Sequence, residues 1–165
     1  EFRRVLFRSR GDARLLDAVI DLAREYAGHI SCFCDEKGNT LRRFPKPEVF
    51  CLPLDAIQPS QFYADELKAH AVATFITSEK DIIIPLTRRE DRFISLDGHT
   101  RLYVASRMGF EKVYGFISPA DGYIYDFASL AAARGILSPR DITLLPHEEY
   151  CRLWLGFCRE YFETH

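Results

Sequence analysis

Residues 93–109 read FISLDGHTRLYVASRMG, and this stretch constrains the fold more than any other. An apolar run ending at Leu96 meets an amphipathic run beginning at Leu102, with only Asp97-Gly98-His99-Thr100-Arg101 between them. That pattern predicts a strand running straight into a helix. The first four N–H groups of a helix have no partner inside it, and with the helix dipole they form a natural anion site. Gly98 has no side chain to keep a ligand off the backbone. His99 and Thr100 fall in the first turn and offer side-chain donors. Arg101 adds a planar fork suited to phosphate or carboxylate oxygens. Asp97 is the candidate catalytic acid: it could cap the helix, orient His99 or Arg101, or help bind a metal or a substrate hydroxyl. A plainer reading of the same residues is a capped turn, with Asp97 as N-cap and Arg101 a solvated charge.

The flanking chain predicts a mixture of strands and helices. Residues 12–27 place Leu15, Val19, Leu22 and Tyr26 at helical spacing, with Asp12 to cap the helix and Gly28 to end it. HISCFCD, the turn EKGN and TLRRF predict a β-hairpin. EVFCLPLDAI predicts a strand and a short turn. Residues 63–76 predict a helix with Leu67, Val72 and Phe75 on or near its apolar side. DIIIPL predicts a buried strand with Pro85 at its end or on an edge. TRRED predicts a solvated turn and RFISL a strand. The helix opened at the joint should run to Met108 and stop at Gly109. EKVYGFIS (strand), YIYDFASLAAARG (helix) and DITLLP (strand) follow. Residues 147–162 carry Tyr150, Leu153, Trp154, Phe157, Cys158 and Tyr161 on one broad helical face. That face reads as core, with a dimer face as the other reading. No internal repeat or long linker is visible.

The chain has 165 residues, 47% of them hydrophobic, which fits one globular domain. The net charge of −2 argues against a general nucleic-acid or membrane-surface binder. Residues 1–9, EFRRVLFRS, resemble the translation of a sequencing-adapter oligonucleotide, so the native domain is expected over 10–165. Without Glu1, Arg3, Arg4 and Arg8 the charge is −4, still further from a DNA binder. Five cysteines, with no CxxC pair, predict free thiols and a cytoplasmic location. His29, His70, His147 and His165 show no metal-ligand spacing, so no protein-built metal site is expected. A Mg²⁺ carried by phosphate would need one carboxylate, for which Asp97 is the candidate.

Residues 48–118 resemble the ParB/sulfiredoxin-like superfamily. The resemblance rests on VFCLPLDAIQPSQFYADELKAHAVATFI, on IIIPL, and on RFISLDGHTRLYVASRMGFEKVYGFI. The last block is similar to that family's pattern of strand, glycine turn with arginine, alanine-containing helix and closing strand. It implies an α+β domain, a compact ParB/sulfiredoxin-like mixed sheet with helices, extended here by helices at both ends. It also implies nucleotide binding, since in that superfamily the joint holds nucleotide phosphates: partition proteins use CTP, sulfiredoxins ATP, and free-serine kinases adenine nucleotides. Carried over, Gly98, His99, Thr100 and Arg101 form the phosphate-binding turn, and Asp97 matches the Asp of the serine kinases' DGHHR.

The departures narrow the implied chemistry. The turn lacks the sulfiredoxin cysteine. Only Gly98 and Arg101 remain of the partition proteins' arginine-rich turn. Gln61 stands where the serine kinases carry an acidic base, and a neutral amide cannot take a proton from a hydroxyl. Asp97 or Glu66 would have to substitute, and Gln61 and Glu66 are the residues expected to line a substrate pocket. The expected function is therefore binding of a nucleotide or other phosphorylated small molecule at Asp97–Arg101, with ATP or CTP and Mg²⁺ as the implied cofactors. Phosphoryl hydrolysis or transfer is an open addition. The rival is a non-catalytic regulatory or DNA- or protein-interaction module on the same fold.

Overall fold

A computed structural model describes residues 4–6 and 13–165. The chain divides into a first compact unit up to Val49 and a second, Phe50–His165. The sequence expectation of one domain from residue 10 thus spans two units, and the expected core at 48–118 lies almost wholly in the second.

The first unit contains strand β1 (Arg4–Leu6), helix α1 (Ala13–Tyr26) and strands β2 (Cys32–Cys34) and β3 (Thr40–Arg43). β2 and β3 form the expected antiparallel hairpin, and β1 pairs parallel to β2. The Asp35 carboxylate shapes the turn by accepting from the Lys37 and Asn39 backbone N–H groups. Of the expected adapter-derived segment, only Arg4–Leu6 is described; Asp12, the expected cap of α1, lies outside the described residues. The apolar series read for α1 is not its buried face: Ile20 is buried, whereas Leu15, Val19 and Leu22 are exposed. Arg42 pairs with Asp21 at 2.9 Å, and the Arg24 guanidinium stacks over Phe44 at 3.8 Å.

The second unit is α+β, as expected. Strand β4 (Phe50–Pro53) leads through a 3₁₀ turn (Leu54–Ala56) into β5 (Ile57–Gln58). β6 (Tyr63–Asp65) runs into α2 (Glu66–Ala73), and β7 (Ile83–Arg89) and β8 (Arg92–Ser95) form a hairpin. Then come α3 (His99–Arg107), β9 (Lys112–Ile117), α4 (Gly122–Ala133) and β10 (Thr143–Leu145). The principal sheet has the order β4-β9-β7-β8-β5. Only β7/β9 and β5/β8 are parallel. Three residues join β4 to β5, yet these strands lie at opposite edges, so the sheet must curl. Its interior is filled by Leu52, Leu54, Ile57, Ile82, Ile84, Leu86 and Val113, with Leu102 and Ala105 of α3 packed on them.

Three expectations need correction here. Pro85 lies within the central strand β7, not at an end or an edge. It is tolerated because regular pairing with β8 begins only at Leu86–Ser95, so its missing N–H costs a bond only at the very end of that ladder. The Pro85 carbonyl still accepts from Leu96 N–H at 3.0 Å, anchoring the chain just before the joint. The helix expected over 63–76 begins only after Tyr63–Asp65, which pair in parallel with β10. Asp65 caps it by accepting from Leu67 N–H, and its inward residues are Ala69 and Val72, while Leu67 and Phe75 are exposed. Of TRRED, Thr87, Arg88 and Arg89 continue β7, and only Glu90 and Asp91 make the turn.

A local repeat is present, against the expectation of none. Ile76-x-Ser78-x-x-Asp81-Ile82 recurs sixty residues later as Ile136-x-Ser138-x-x-Asp141-Ile142. Each copy follows a helix, forms a 3₁₀ turn and enters a strand. In each, one aspartate oxygen accepts from two consecutive backbone N–H groups, those of Thr77 and Ser78 or of Leu137 and Ser138. All four isoleucines are buried.

The C-terminal helix matches its expectation and runs slightly longer. α5 (His147–Tyr150) passes through a π-helical turn (Cys151–Leu155) into α6 (Gly156–Thr164). Tyr150 and Trp154 are buried in a second core with Phe62, Phe127, Ile136 and Ile142, so the aromatic face is core. Among the described residues no helix is long and apolar enough to cross a membrane.

Candidate functional site

The joint begins where β8 ends. Gly98, not Asp97, is the N-cap of α3, and it adopts a left-handed conformation with φ 78°. Only glycine takes this conformation without strain. A Cβ here would also lie 2.6 Å from Ile84 Cδ1 and 2.9 Å from Arg101 Nη2. The N-cap position makes no side-chain cap bond. The first intrahelical bond is Leu102 N–H to Gly98 C=O, so the N–H groups of His99, Thr100 and Arg101 precede the helix's own ladder.

His99 is 6% exposed and locked into the fold. Its Nε2 accepts from Ser60 N–H at 3.1 Å, with Ser95 Oγ at 3.0 Å and Ser60 Oγ at 3.2 Å. Ser60 Oγ donates to the Ser95 carbonyl at 2.7 Å. Because Ser60 N–H can only donate, Nε2 is an acceptor and the ring proton sits on Nδ1. Burial pulls the imidazole pKa down to about 4, the Asp97 carboxylate opposes this, and Arg101 adds to it. The ring is therefore neutral near pH 7.

Arg101 divides its fork. Nη1 donates to the Ile83 carbonyl at 2.9 Å, and Nη2 lies 3.6 Å from Asp97 Oδ2. Asp97 is exposed, and its partner is Arg101 rather than the helix end. Thr100 is half-buried on the first turn. These five residues are brought together, as a contiguous turn must be.

Gln61 follows Ser60, which places it next to the His99 contact. Its amide donates to the Tyr63 carbonyl and lies 3.4 Å from Tyr150 Oη. Burial, followed by the Asp65 charge, pushes the Tyr150 phenol up to about 12, so it stays protonated. Glu66 is half-buried as the first residue of α2, which packs against α3. Away from the joint, a concavity of about 160 Å³ is lined by Gln58, Arg89, Arg92, Ile94, Ala128 and their neighbours.

Ser60 and Ser95, which fix His99, were not singled out from sequence as partners of the joint. Nothing in the local sequence marks them: Gln58-Pro59-Ser60 is polar or imino, and its burial exists only in the folded chain.

The fold and this joint define an α+β domain with a glycine-capped strand-to-helix turn. No family model matches the chain, and no curated protein matches it. Among solved structures it is similar to protein Atu1540 from Agrobacterium tumefaciens, at 19% identity and a TM-score of 0.39. The match covers 56% of this chain and 51% of that one, so it spans about half the length of its neighbour.

Proposed function

We propose that the second unit is a ParB/sulfiredoxin-like domain that binds a nucleotide or another phosphorylated small molecule at Gly98–Arg101. One observation carries the reading: α3 begins at a left-handed N-cap with no side chain of its own to cap the helix, and its first turn lies beside a neutral His99 and the Arg101 guanidinium. Such a turn suits an anion, because N–H groups and the helix dipole aim positive charge outward at no cost in reorganisation. Phosphate oxygens would take these N–H groups, with Thr100 Oγ1 as a further donor. Asp97 is the carboxylate available to a phosphate-bound Mg²⁺, which would neutralise charge on the bound phosphates. Cys51, Cys151 and Cys158 are free thiols, which fits a cytoplasmic protein.

Binding without turnover is the second reading, and a specific arrangement favours it. Gln61 is an amide held by Tyr63 and Tyr150, and Asp97 faces Arg101, so neither is a poised base.

Thermal shift and titration calorimetry with ATP, CTP and GTP, with and without Mg²⁺, test the proposal. At least one nucleotide should raise the melting temperature. Arg101→Ala should weaken binding, but it also removes a bond to β7. Thr100→Glu is the cleaner variant, since it places a carboxylate on the first turn and leaves Arg101 in place; it should abolish the shift. No shift with any nucleotide would refute the reading. A shift with no release of phosphate would establish the regulatory form.

A further inference from the structure

Asp65, His147 and Cys151 meet where α5 lies over the start of α2. His147 opens α5 and Cys151 follows one turn later, so both side chains share a helix face. His147 Nε2 lies 3.6 Å from Cys151 Sγ. On the other side of the ring, His147 Nδ1 lies 2.8 Å from Asp65 Oδ2. The Asp65 side chain is 1% exposed, and its Oδ1 accepts from Leu67 N–H at 2.9 Å. Burial pushes this carboxyl's pKa up, but the bonds from His147 and the Leu67 amide outweigh burial and leave it below its ordinary value. An ionised carboxylate must accept from Nδ1–H, and that fixes the tautomer: the Nε2 lone pair faces the thiol. The two partners occupy opposite nitrogens, so they cannot converge on one cation through this ring. The arrangement is a proton relay, with Cys151 half-buried and the His147 side chain 51% exposed at its open end.

We propose that Cys151 is a modification site, a thiol that exchanges with low-molecular-weight disulfides, with His147 as its proton carrier and Asp65 as the positioning residue. Sγ attacks one sulfur of the reagent. The new S–S bond forms as the reagent's own S–S bond breaks. The thiol proton passes to Nε2 and leaves on the displaced thiolate, so one thiol is consumed and one released. The protein sulfur is oxidised to a mixed disulfide and the departing sulfur is reduced. A disulfide suits this pair because its leaving group needs a proton, which the imidazolium holds, and no cradle for an oxyanion. Asp65 keeps the lone pair aimed at sulfur and stabilises the imidazolium.

The test treats the full chain at pH 7 with 2-hydroxyethyl disulfide, a neutral probe that the nearby Glu148, Glu149 and Arg152 do not steer. Peptide mass mapping follows each cysteine, with the exposed Cys51 as internal reference. Cys151 should gain its adduct at least about tenfold faster than Cys51. His147→Gln should bring that ratio to about one. Unfolding would also bring the ratio to about one, so the half-buried Cys158 serves as the folding control: its rate should be unchanged in His147→Gln, whereas loss of structure would raise it. A wild-type ratio near one, or a ratio unchanged in His147→Gln, would overturn the proposal.

Discussion

Gly98 and His99 hold the joint by opposite means, one through the absence of a side chain and the other through a buried ring with its acceptor nitrogen committed. The ring has a consequence for pH. An unfolded histidine titrates near its ordinary value of 6.5, while the folded ring binds its proton only near pH 4. Between these values the unfolded state binds more protons than the native state. Stability is therefore full above pH 6.5 and falls as the pH drops toward 4, by about 3 kcal/mol. Denaturant melts at pH 7, 6, 5 and 4 should show this loss, and His99→Gln should flatten it. An aspartate titrates lower, so loss that starts well above pH 4.5 points to the imidazole.

Among elements, the two Ser-x-x-Asp turns do the same work in different places: each takes a helix end, closes two backbone N–H groups on one carboxylate and starts a strand. Asp81→Ala and Asp141→Ala should therefore destabilise alike, by about 1 kcal/mol each, in urea melts read at Trp154. The repeat escaped sequence inspection because it retains few identities: isoleucine at both ends and Ser-x-x-Asp between. What was legible follows the range of the interaction. The helix of residues 147–162 could be read because its aromatic face repeats at helical spacing and needs no knowledge of its partner. The start of α2 was misplaced because Tyr63–Asp65 are held by β10, eighty residues away. Leu67 and Phe75 misled because apolar residues also occur on exposed faces. At the site, Gly98 to Arg101 could be read as a local joint, whereas the Ser60 and Ser95 contacts with His99 exist only once the chain has curled.

For the molecule as a whole, the segment that resembles a family is not a self-sufficient body. Phe62 and Ala64 lie in the core formed with Phe127, Ile136 and Trp154, and β6 needs β10 as its partner. A fragment of residues 50–118 should therefore show no cooperative unfolding transition by circular dichroism, whereas residues 50–165 should. A sharp transition in the shorter fragment would show that the α4-to-α6 segment is an addition rather than part of the core. The curl of the principal sheet matters for a different reason. Its outer strands are β4, four residues ending in Pro53, and β5, only two residues long. Because one short stretch of chain supplies both margins, the sheet offers a neighbouring molecule almost no row of unpaired amides to extend. The geometry that carries residues 50–58 from one margin of the curled sheet to the other thus also guards this sheet against edge-to-edge aggregation.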